Sequence, residues 1–289
     1  MSEGSQGIQT MELEAVNCRG ERIYGTLEQH PHEKRTIVIL HGVMGHRNYL
    51  FFKELHATIG GDESEGAGAD VLPFSTFRID FHGNGKSEGE LKYADYDEDL
   101  DDLRCFAGVL RDRGLELFCL LGHSRGAGVA LKYALLAARG EEPPLPRLIS
   151  VSGRFEMAAL PKKHTPEQLD ELARTGSFFW GKRGQKGKGC LVTQADVDKI
   201  CRFYWDRDDC DVREIAADTR VLLMHGTADV TVPHEVSIAN FSRLIPTNEV
   251  RLIEGADHFF RPPHAKAVAA EVERWLEPDR EGHTASSKL

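Results

Sequence analysis

The sequence predicts an α/β fold in which a mostly parallel β-sheet is covered by helices on both faces. Short apolar segments of strand length alternate with segments whose apolar residues recur at helical spacing. Residues 36–40 read TIVIL, an almost wholly apolar run that is typical of a strand buried on both faces. Strands that alternate with helices in this way favour a parallel sheet between two helical layers.

The individual elements follow from the same patterns. Residues 11–16 and 22–27 are predicted to be two strands joined by a turn at 17–20. The other predicted core strands are 36–40, 74–81, 117–121, 147–151, 220–224 and 249–253, and the predicted core helices are 48–59, 95–112 and 126–138. The glycine-rich acidic stretch GGDESEGAGAD, which begins at residue 60, is predicted to be a surface loop.

The interval between residues 151 and 220 is too long for an ordinary crossover connection. Thr165-Pro166-Glu167-Gln168 is a helix start, with a capping threonine, proline at the first helical position and glutamine three residues after the cap. A second start at Thr193 predicts a helix to about residue 204. We therefore predict a core of residues 11–153 and 216–276, a mainly helical lid at 154–215, and a flexible tail at 277–289.

Composition excludes several classes of function. The net charge of −10 argues against a nucleic-acid partner, because phosphate contacts need clustered lysine and arginine. No apolar run approaches the roughly 18–20 residues of a membrane span, and the polar N-terminus MSEGSQGIQT does not resemble a secretory signal. The six cysteines form no CxxC pair, so neither a zinc site nor a redox motif is indicated, and a reducing compartment fits best.

Three local patterns resemble cofactor or metal sites and fail on inspection. GNGKS at 83–87 resembles the end of a phosphate-binding loop, but Asp80 stands where that loop needs its first glycine. GAGVAL at 126–131 resembles the start of a dinucleotide-binding fingerprint, but Leu131 stands where that fingerprint needs its last glycine. His30-Pro31-His32 has no further ligands at metal-binding spacing. The sequence therefore predicts no cofactor and no metal.

The stretch GHSRG places Ser124 in a G-x-S-x-G pattern between a predicted strand and a predicted helix. A serine hydroxyl becomes a useful nucleophile only when a base accepts its proton and a sharp turn holds it clear of the backbone. Asp229 follows one later strand and His258 follows the next, so all three lie beyond the carboxyl ends of strands, on one rim of the sheet. His258 would act as base and Asp229 would orient it, whereas the rival acid Asp257 adjoins His258 too closely to do so.

Two backbone amides are predicted to stabilise an oxyanion. The N–H of Arg125 directly follows the nucleophile, and the second donor should come from the loop after the TIVIL strand, where Val43 is our choice.

LHGVMGH, RIDFHGNGKSEG, GHSRGAG, HGTADVTVP and GADHFF together resemble the signatures of α/β-hydrolase fold serine hydrolases, in that family's order, over residues 11–276. Within that fold the chain is similar to cinnamoyl/feruloyl-esterase-like and monoacylglycerol-lipase-like carboxylesterases. The resemblance implies Ser124, Asp229 and His258 as the triad and the amides of Val43 and Arg125 as the oxyanion hole. One departure is Arg125 itself, where many such esterases carry Gln or Met; its side chain is expected to affect lid contacts.

A basic, glycine-rich stretch within the predicted lid bears on the substrate. Either it is a solvated loop, or its cations hold an anionic group such as the phosphates of coenzyme A in an acyl thioester; the cations are Lys182, Arg183, Lys186 and Lys188. The preceding aromatic residues either line an acyl or aryl pocket or pack the lid; they are Phe178, Phe179 and Trp180.

The chain ends in Ser287-Lys288-Leu289, a tripeptide that import receptors read as a peroxisomal address. We accordingly expect a peroxisomal or related microbody enzyme that hydrolyses a carboxylic ester through an acyl-enzyme. Two alternatives remain open: an acyl-CoA thioesterase or acyl-transferring biosynthetic enzyme, and a protein of the same fold that binds a small molecule without turning it over.

Overall fold

The computed structural model describes residues 7–59 and 74–279. The predicted loop at 60–70 and the predicted address at 287–289 lie outside these residues. Within them, the chain forms an eight-stranded sheet and a separate two-stranded sheet. This architecture confirms the predicted α/β class.

The large sheet has the strand order β1-β2-β4-β3-β5-β6-β9-β10. Strand β2 runs antiparallel to both of its neighbours, β1 and β4, and all other neighbouring strands are parallel. Its strands are β1 (Gln9–Val16), β2 (Arg22–Gln29), β3 (Arg35–Leu40), β4 (Ser75–Asp80), β5 (Glu116–His123), β6 (Arg147–Val151), β9 (Arg220–Gly226) and β10 (Asn248–Ile253). The small sheet is a hairpin of β7 (Ser177–Gly181) and β8 (Gly189–Thr193). Every predicted core strand is present, within a few residues at each end.

Helices cover both faces of the large sheet. The α-helices of the described chain are α1 (Phe52–Ile59), α2 (Tyr96–Asp112), α3 (Arg125–Ala138), α4 (Pro166–Thr175), α5 (Gln194–Cys201), α6 (His234–Leu244) and α7 (His264–Leu276). Of these, α4 and α5 lie between β6 and β9, where they contact β7 and β8. One core lies beneath α2, α3 and α6 and contains Leu103, Val129 and Phe241. The other lies beneath α1 and α7 and contains Leu55 and Val268. Strand β3 is buried on both faces, as its apolar sequence requires.

The segment between β6 and β9, which we call the insertion, spans residues 152–219 and holds α4, the β7–β8 hairpin and α5. The sequence predicted its helices but not the hairpin. Thr165 caps α4 in a reciprocal capping box with Gln168, and Thr193 caps α5. The hairpin escaped prediction because each five-residue strand pairs only with the other, and its turn is a run of glycines and cations that resembles a loop. Helix α5 ends at Cys201, short of the predicted residue 204.

None of the helices in the described ranges is long and apolar enough to cross a membrane.

Candidate active site

Ser124 lies on the sharp turn between β5 and α3. Its backbone has φ 53° and ψ −113°, a strained conformation for a residue with a side chain. The two flanking glycines make the turn possible. A Cβ on Gly122 would lie 2.2 Å from the carbonyl oxygen of Gly126, and one on Gly126 would lie 2.3 Å from that of Leu40. Any other residue at either position would push strand and helix apart and displace the serine.

His258 connects Ser124 to Asp229. Its Nε2 lies 3.1 Å from Ser124 Oγ, and its Nδ1 lies 2.7 Å from Asp229 Oδ2. The three side chains therefore form one continuous hydrogen-bonded chain across the carboxyl ends of β5, β9 and β10. Asp257, the rival acid, pairs with Arg261 and accepts the Phe259 amide instead.

The surroundings of Asp229 keep it ionised. Its Oδ1 accepts hydrogen bonds from the amides of Thr231 at 2.9 Å and Val232 at 2.8 Å, and His225 Nε2 lies 3.2 Å from its Oδ2. Burial by itself would raise the pKa of Asp229, but the contacts with His225 and His258 outweigh it, and the pKa lies well below its ordinary value. The carboxylate can therefore orient His258 and stabilise its protonated form.

A second histidine, His123, fixes the loop that carries His258. Its Nε2–H donates to the His258 carbonyl oxygen at 2.9 Å, and its ring packs edge-on against Phe51 and near Phe260. Burial and the neighbouring His258 lower the pKa of His123 to about 3, so its ring is neutral. The residue before Ser124 thus ties the turn after β5 to the loop that carries His258.

The loop after β3 packs directly against Ser124. A Cβ on Gly42 would lie 3.2 Å from the Ser124 Cβ, and the loop closes in a turn in which the Gly45 amide donates to the Gly42 carbonyl. The buried ring of His41 holds this loop: Nδ1–H donates to the Gly42 carbonyl and Nε2 accepts the Phe81 amide. Neither the Val43 amide nor the Arg125 amide has a hydrogen-bond partner among residues 7–59 and 74–279.

The side chain of Arg125 anchors the turn and does not reach out to the insertion, contrary to expectation. Its Nε donates to Asp99, and its two terminal nitrogens donate to the carbonyls of Lys92, Tyr93 and Asp95. The guanidinium also lies 4.9 Å from the centre of the Tyr96 ring. These donations go to the segment that leads into α2 and to the first turn of α2 itself.

Ser124 and His258 open onto a cavity of about 550 Å³. The walls are aromatic and apolar, with Tyr93, Tyr96 and Trp205 among them. The insertion contributes a large share of the wall, from Arg154 to Trp205. Tyr93 Oη lies 2.9 Å from Nε2 of His164, another wall residue, which fixes both rings.

Most of the residues that the sequence predicted to contact the substrate lie outside the described lining of the cavity. Trp180 lines the cavity, but Phe178 is buried against His164 and Phe179 faces away, with Arg183 stacked on its ring at 4.6 Å. Residues 182–188 form the exposed β7–β8 turn, outside the described cavity lining. This turn contains all four predicted cations, Lys182, Arg183, Lys186 and Lys188. Lys186 donates to the backbone carbonyl of Lys86, and Lys188 donates to that of Met44. Neighbouring side chains alternate across a strand, so adjacent aromatic residues cannot all face one pocket.

Two cations in the cavity wall were not found by sequence reasoning. Arg154 follows the carboxyl end of β6, and Lys163 lies further along the insertion at the cavity margin. Arg154 could have been predicted as a site residue from its position alone, since it lies three residues beyond the carboxyl end of a parallel strand. Within the described part of the chain, no group of three His, Cys, Asp or Glu side chains could hold a metal ion.

Comparison with known proteins agrees with this fold. A family model described as the alpha/beta hydrolase family matches residues 37–271, and the chain belongs to that family. The structure is similar to that of Est1E from Butyrivibrio proteoclasticus with ferulic acid bound, at a TM-score of 0.69 and 21% identity, covering 91% of this chain and 98% of that one. It also resembles mouse alpha/beta hydrolase domain-containing protein 10, at a TM-score of 0.66 and 16% identity over 93% and 99% of the two chains.

A curated relative is the putative uncharacterized protein YDL057W of Saccharomyces cerevisiae. It is 25% identical over 240 residues, which cover 78% of this chain and 69% of the relative.

Proposed function

We propose that the protein is a serine hydrolase that cleaves a carboxylic ester through an acyl-enzyme. The observation that carries the proposal is the hydrogen-bonded chain from Asp229 through His258 to Ser124, which ends at the cavity. This arrangement supplies a nucleophile, a base within reach of its proton and a group that orients the base.

In the first half-reaction, Ser124 Oγ attacks the ester carbonyl as its proton passes to His258 Nε2. The carbonyl oxygen becomes an oxyanion, which accepts hydrogen bonds from the amides of Val43 and Arg125. As the tetrahedral intermediate collapses, the bond to the alcohol oxygen breaks and His258 donates the proton to the leaving alcohol. Asp229 remains ionised throughout and stabilises the protonated imidazole.

In the second half-reaction, His258 accepts a proton from a water molecule that attacks the acyl carbonyl. The second tetrahedral intermediate collapses with cleavage of the bond to Ser124 Oγ, and His258 returns the proton to that oxygen. The acid leaves and the resting enzyme is restored.

The cavity favours an acyl group of small or medium size with aromatic or apolar character. Tyr93, Trp180 and Trp205 offer flat, apolar surfaces around Ser124. The similarity to Est1E, whose structure contains ferulic acid, agrees with such a substrate. The acyl-CoA alternative loses its main support because residues 182–188 lie outside the described lining of the cavity.

The proposal is tested by the turnover of 4-nitrophenyl acetate and butanoate by the wild type, Ser124→Ala and Ser152→Ala. Ser152 is a matched control: it is buried, follows the next strand of the sheet and also has a positive φ. We expect Ser124→Ala to lose at least about 10³-fold in kcat, with Ser152→Ala close to the wild type. Equal activity of Ser124→Ala and the wild type would refute the mechanism, and tight ligand binding by an inactive wild type would favour the binding-protein alternative.

A further inference from the structure

The charge of the cavity contrasts with the charge of the whole chain. The protein carries a net charge of −10, yet the described cavity lining contains no Asp or Glu and includes Arg125, Arg154 and Lys163. The Arg125 guanidinium is already paired with Asp99. The other two cations form no ion pair with any part of the chain that the structure describes.

Arg154 is held in place by the protein and still has free donors. Its carbonyl oxygen accepts the Trp205 indole N–H at 2.9 Å, and its Nη2 donates to the Thr231 carbonyl at 2.7 Å. A guanidinium has five N–H donors in a planar fork, so most of them remain for a ligand. Burial holds the pKa of Arg154 below its ordinary value and outweighs the opposing effect of nearby groups, among them Tyr96 and the carboxylate of Asp229.

The position of Arg154 links it to the reaction. Thr231, whose carbonyl it contacts, also donates its own amide to Asp229, so the guanidinium is attached to the loop that carries the triad acid. Lys163 Nζ donates to the carbonyl of Val230 in the same loop, at 3.1 Å. Two cations without counter-ions therefore border the cavity on the side of the acid loop.

A desolvated cation without a partner is costly, and an anion that enters the cavity removes that cost. We propose that the cavity selects esters that carry an anionic group, a carboxylate or a phosphate, which Arg154 binds through its planar fork and Lys163 attracts at the cavity margin. This inference rests on the proposed ester hydrolysis and specifies its substrate class. Neither cation takes part in bond making or breaking; both position the substrate.

The test compares matched esters with the same leaving group. The probes are 4-nitrophenyl monoesters of glutaric, adipic and suberic acid, each with its distal acid free or capped as a methyl ester, and an equivalent series with a distal phosphonate. The measured quantity is the ratio of kcat/KM for the anionic ester to kcat/KM for its neutral partner, after subtraction of uncatalysed hydrolysis. We expect this ratio to exceed ten at the best chain length, mainly through KM.

Variants of Arg154 and Lys163 then test whether these two cations cause the preference for the anionic ester. We expect Arg154→Met to lower the ratio about 10-fold, towards one. Arg154→Lys should lower it less, because it keeps the charge but loses the fork, and Lys163→Met should lower it by several fold. Lys162→Met is the matched control, since Lys162 is an exposed neighbour outside the described lining, and should leave the ratio unchanged. The ratio cancels any general loss of folded enzyme, and Lys163→Met alters only an exposed side chain.

The outcomes separate this inference from the proposed function. A larger ratio in the carboxylate series assigns the site to carboxylates, and a larger one in the phosphonate series assigns it to phosphates. Ratios near one in both series, with neutral esters still hydrolysed, overturn the inference and leave ester hydrolysis intact. No turnover of any ester overturns both.

Discussion

At the scale of single residues, Arg125 anchors the turn at Ser124 to the start of α2. Asp99 is 1% exposed and pairs with Arg125, which is 7% exposed and directly follows Ser124. Removal of one partner of a buried pair leaves the other charge desolvated and unpaired, at a cost of about 3–5 kcal/mol. The pair therefore ties the position of the Arg125 amide to the stability of the fold.

We expect Asp99→Asn to lower the free energy of unfolding by about 3–5 kcal/mol, as measured by urea denaturation. Glu88→Gln is the matched control, because Glu88 pairs with Arg22 on the surface, where ion pairs contribute little. Equal stability of Asp99→Asn and the wild type would contradict the assigned role of the pair.

His82 gives the same region a dependence on pH. Its Nδ1 lies 2.9 Å from Asp102 and 3.6 Å from Asp99, and its Nε2 lies 3.1 Å from Glu98. Burial lowers the pKa of His82, but the hydrogen bond to Asp102 and the nearby carboxylates outweigh burial and the opposing charge of Arg19, so the pKa in the folded protein is raised. The charged imidazole therefore stabilises the fold.

The direction of the pH dependence follows from the raised pKa of His82. Since the folded pKa lies above the unfolded value of about 6.5, the stabilisation is complete below that pH and is lost as the pH rises through the folded pKa. We expect the difference in unfolding free energy between the wild type and His82→Gln to shrink as the pH rises above about 6.5. A difference that is constant between pH 5 and 9, measured by denaturant titration, would contradict this account.

At the scale of elements, the β7–β8 hairpin brings Trp180 to the cavity wall. Gly181, with φ 98°, closes the hairpin, and a Cβ there would lie 2.2 Å from the Lys188 carbonyl oxygen. Gly184 in the same turn has φ 74° but open space around it. Alanine substitutions at these two glycines therefore distinguish the effect of a steric clash from the effect of backbone strain.

We expect Gly181→Ala to increase hydrogen exchange in residues 177–193 and to raise KM for aromatic esters several fold, because Trp180 loses its support. Gly184→Ala should show only the strain of a left-handed residue, about 1–2 kcal/mol, with KM unchanged. Identical exchange and kinetics in the two variants would show that the hairpin does not shape the cavity.

The elements also show how far the sequence alone could lead. The core strands, the turn at Ser124 and the positions of Asp229 and His258 were predictable, because apolar runs and glycine-flanked turns act locally and parallel strands bring their carboxyl ends to one rim. The β7–β8 hairpin and the cavity cations Arg154 and Lys163 were not predicted from the sequence. Strand β7 becomes a strand only through pairing with β8. Arg154 reaches the cavity wall only in the folded chain, where it contacts Trp205 and Thr231, which are distant in sequence.

At the scale of the whole molecule, the peroxisomal address remains a prediction, because residues 287–289 lie outside the described part of the chain. We expect a fluorescent protein fused ahead of this chain to co-localise with a peroxisomal marker in eukaryotic cells and to become diffuse when Ser287, Lys288 and Leu289 are deleted. The same distribution with and without the tripeptide would show that it is not read.

The central claim is that the folded protein activates Ser124 for nucleophilic attack. The most direct measurement is reaction with a fluorophosphonate probe followed by peptide mass spectrometry, with Ser124→Ala and Ser152→Ala alongside. The account predicts a single phosphonylated site at Ser124 in the wild type and in Ser152→Ala, and no adduct in Ser124→Ala. A well-folded wild type that stays unlabelled, or that is labelled at another residue, would contradict it.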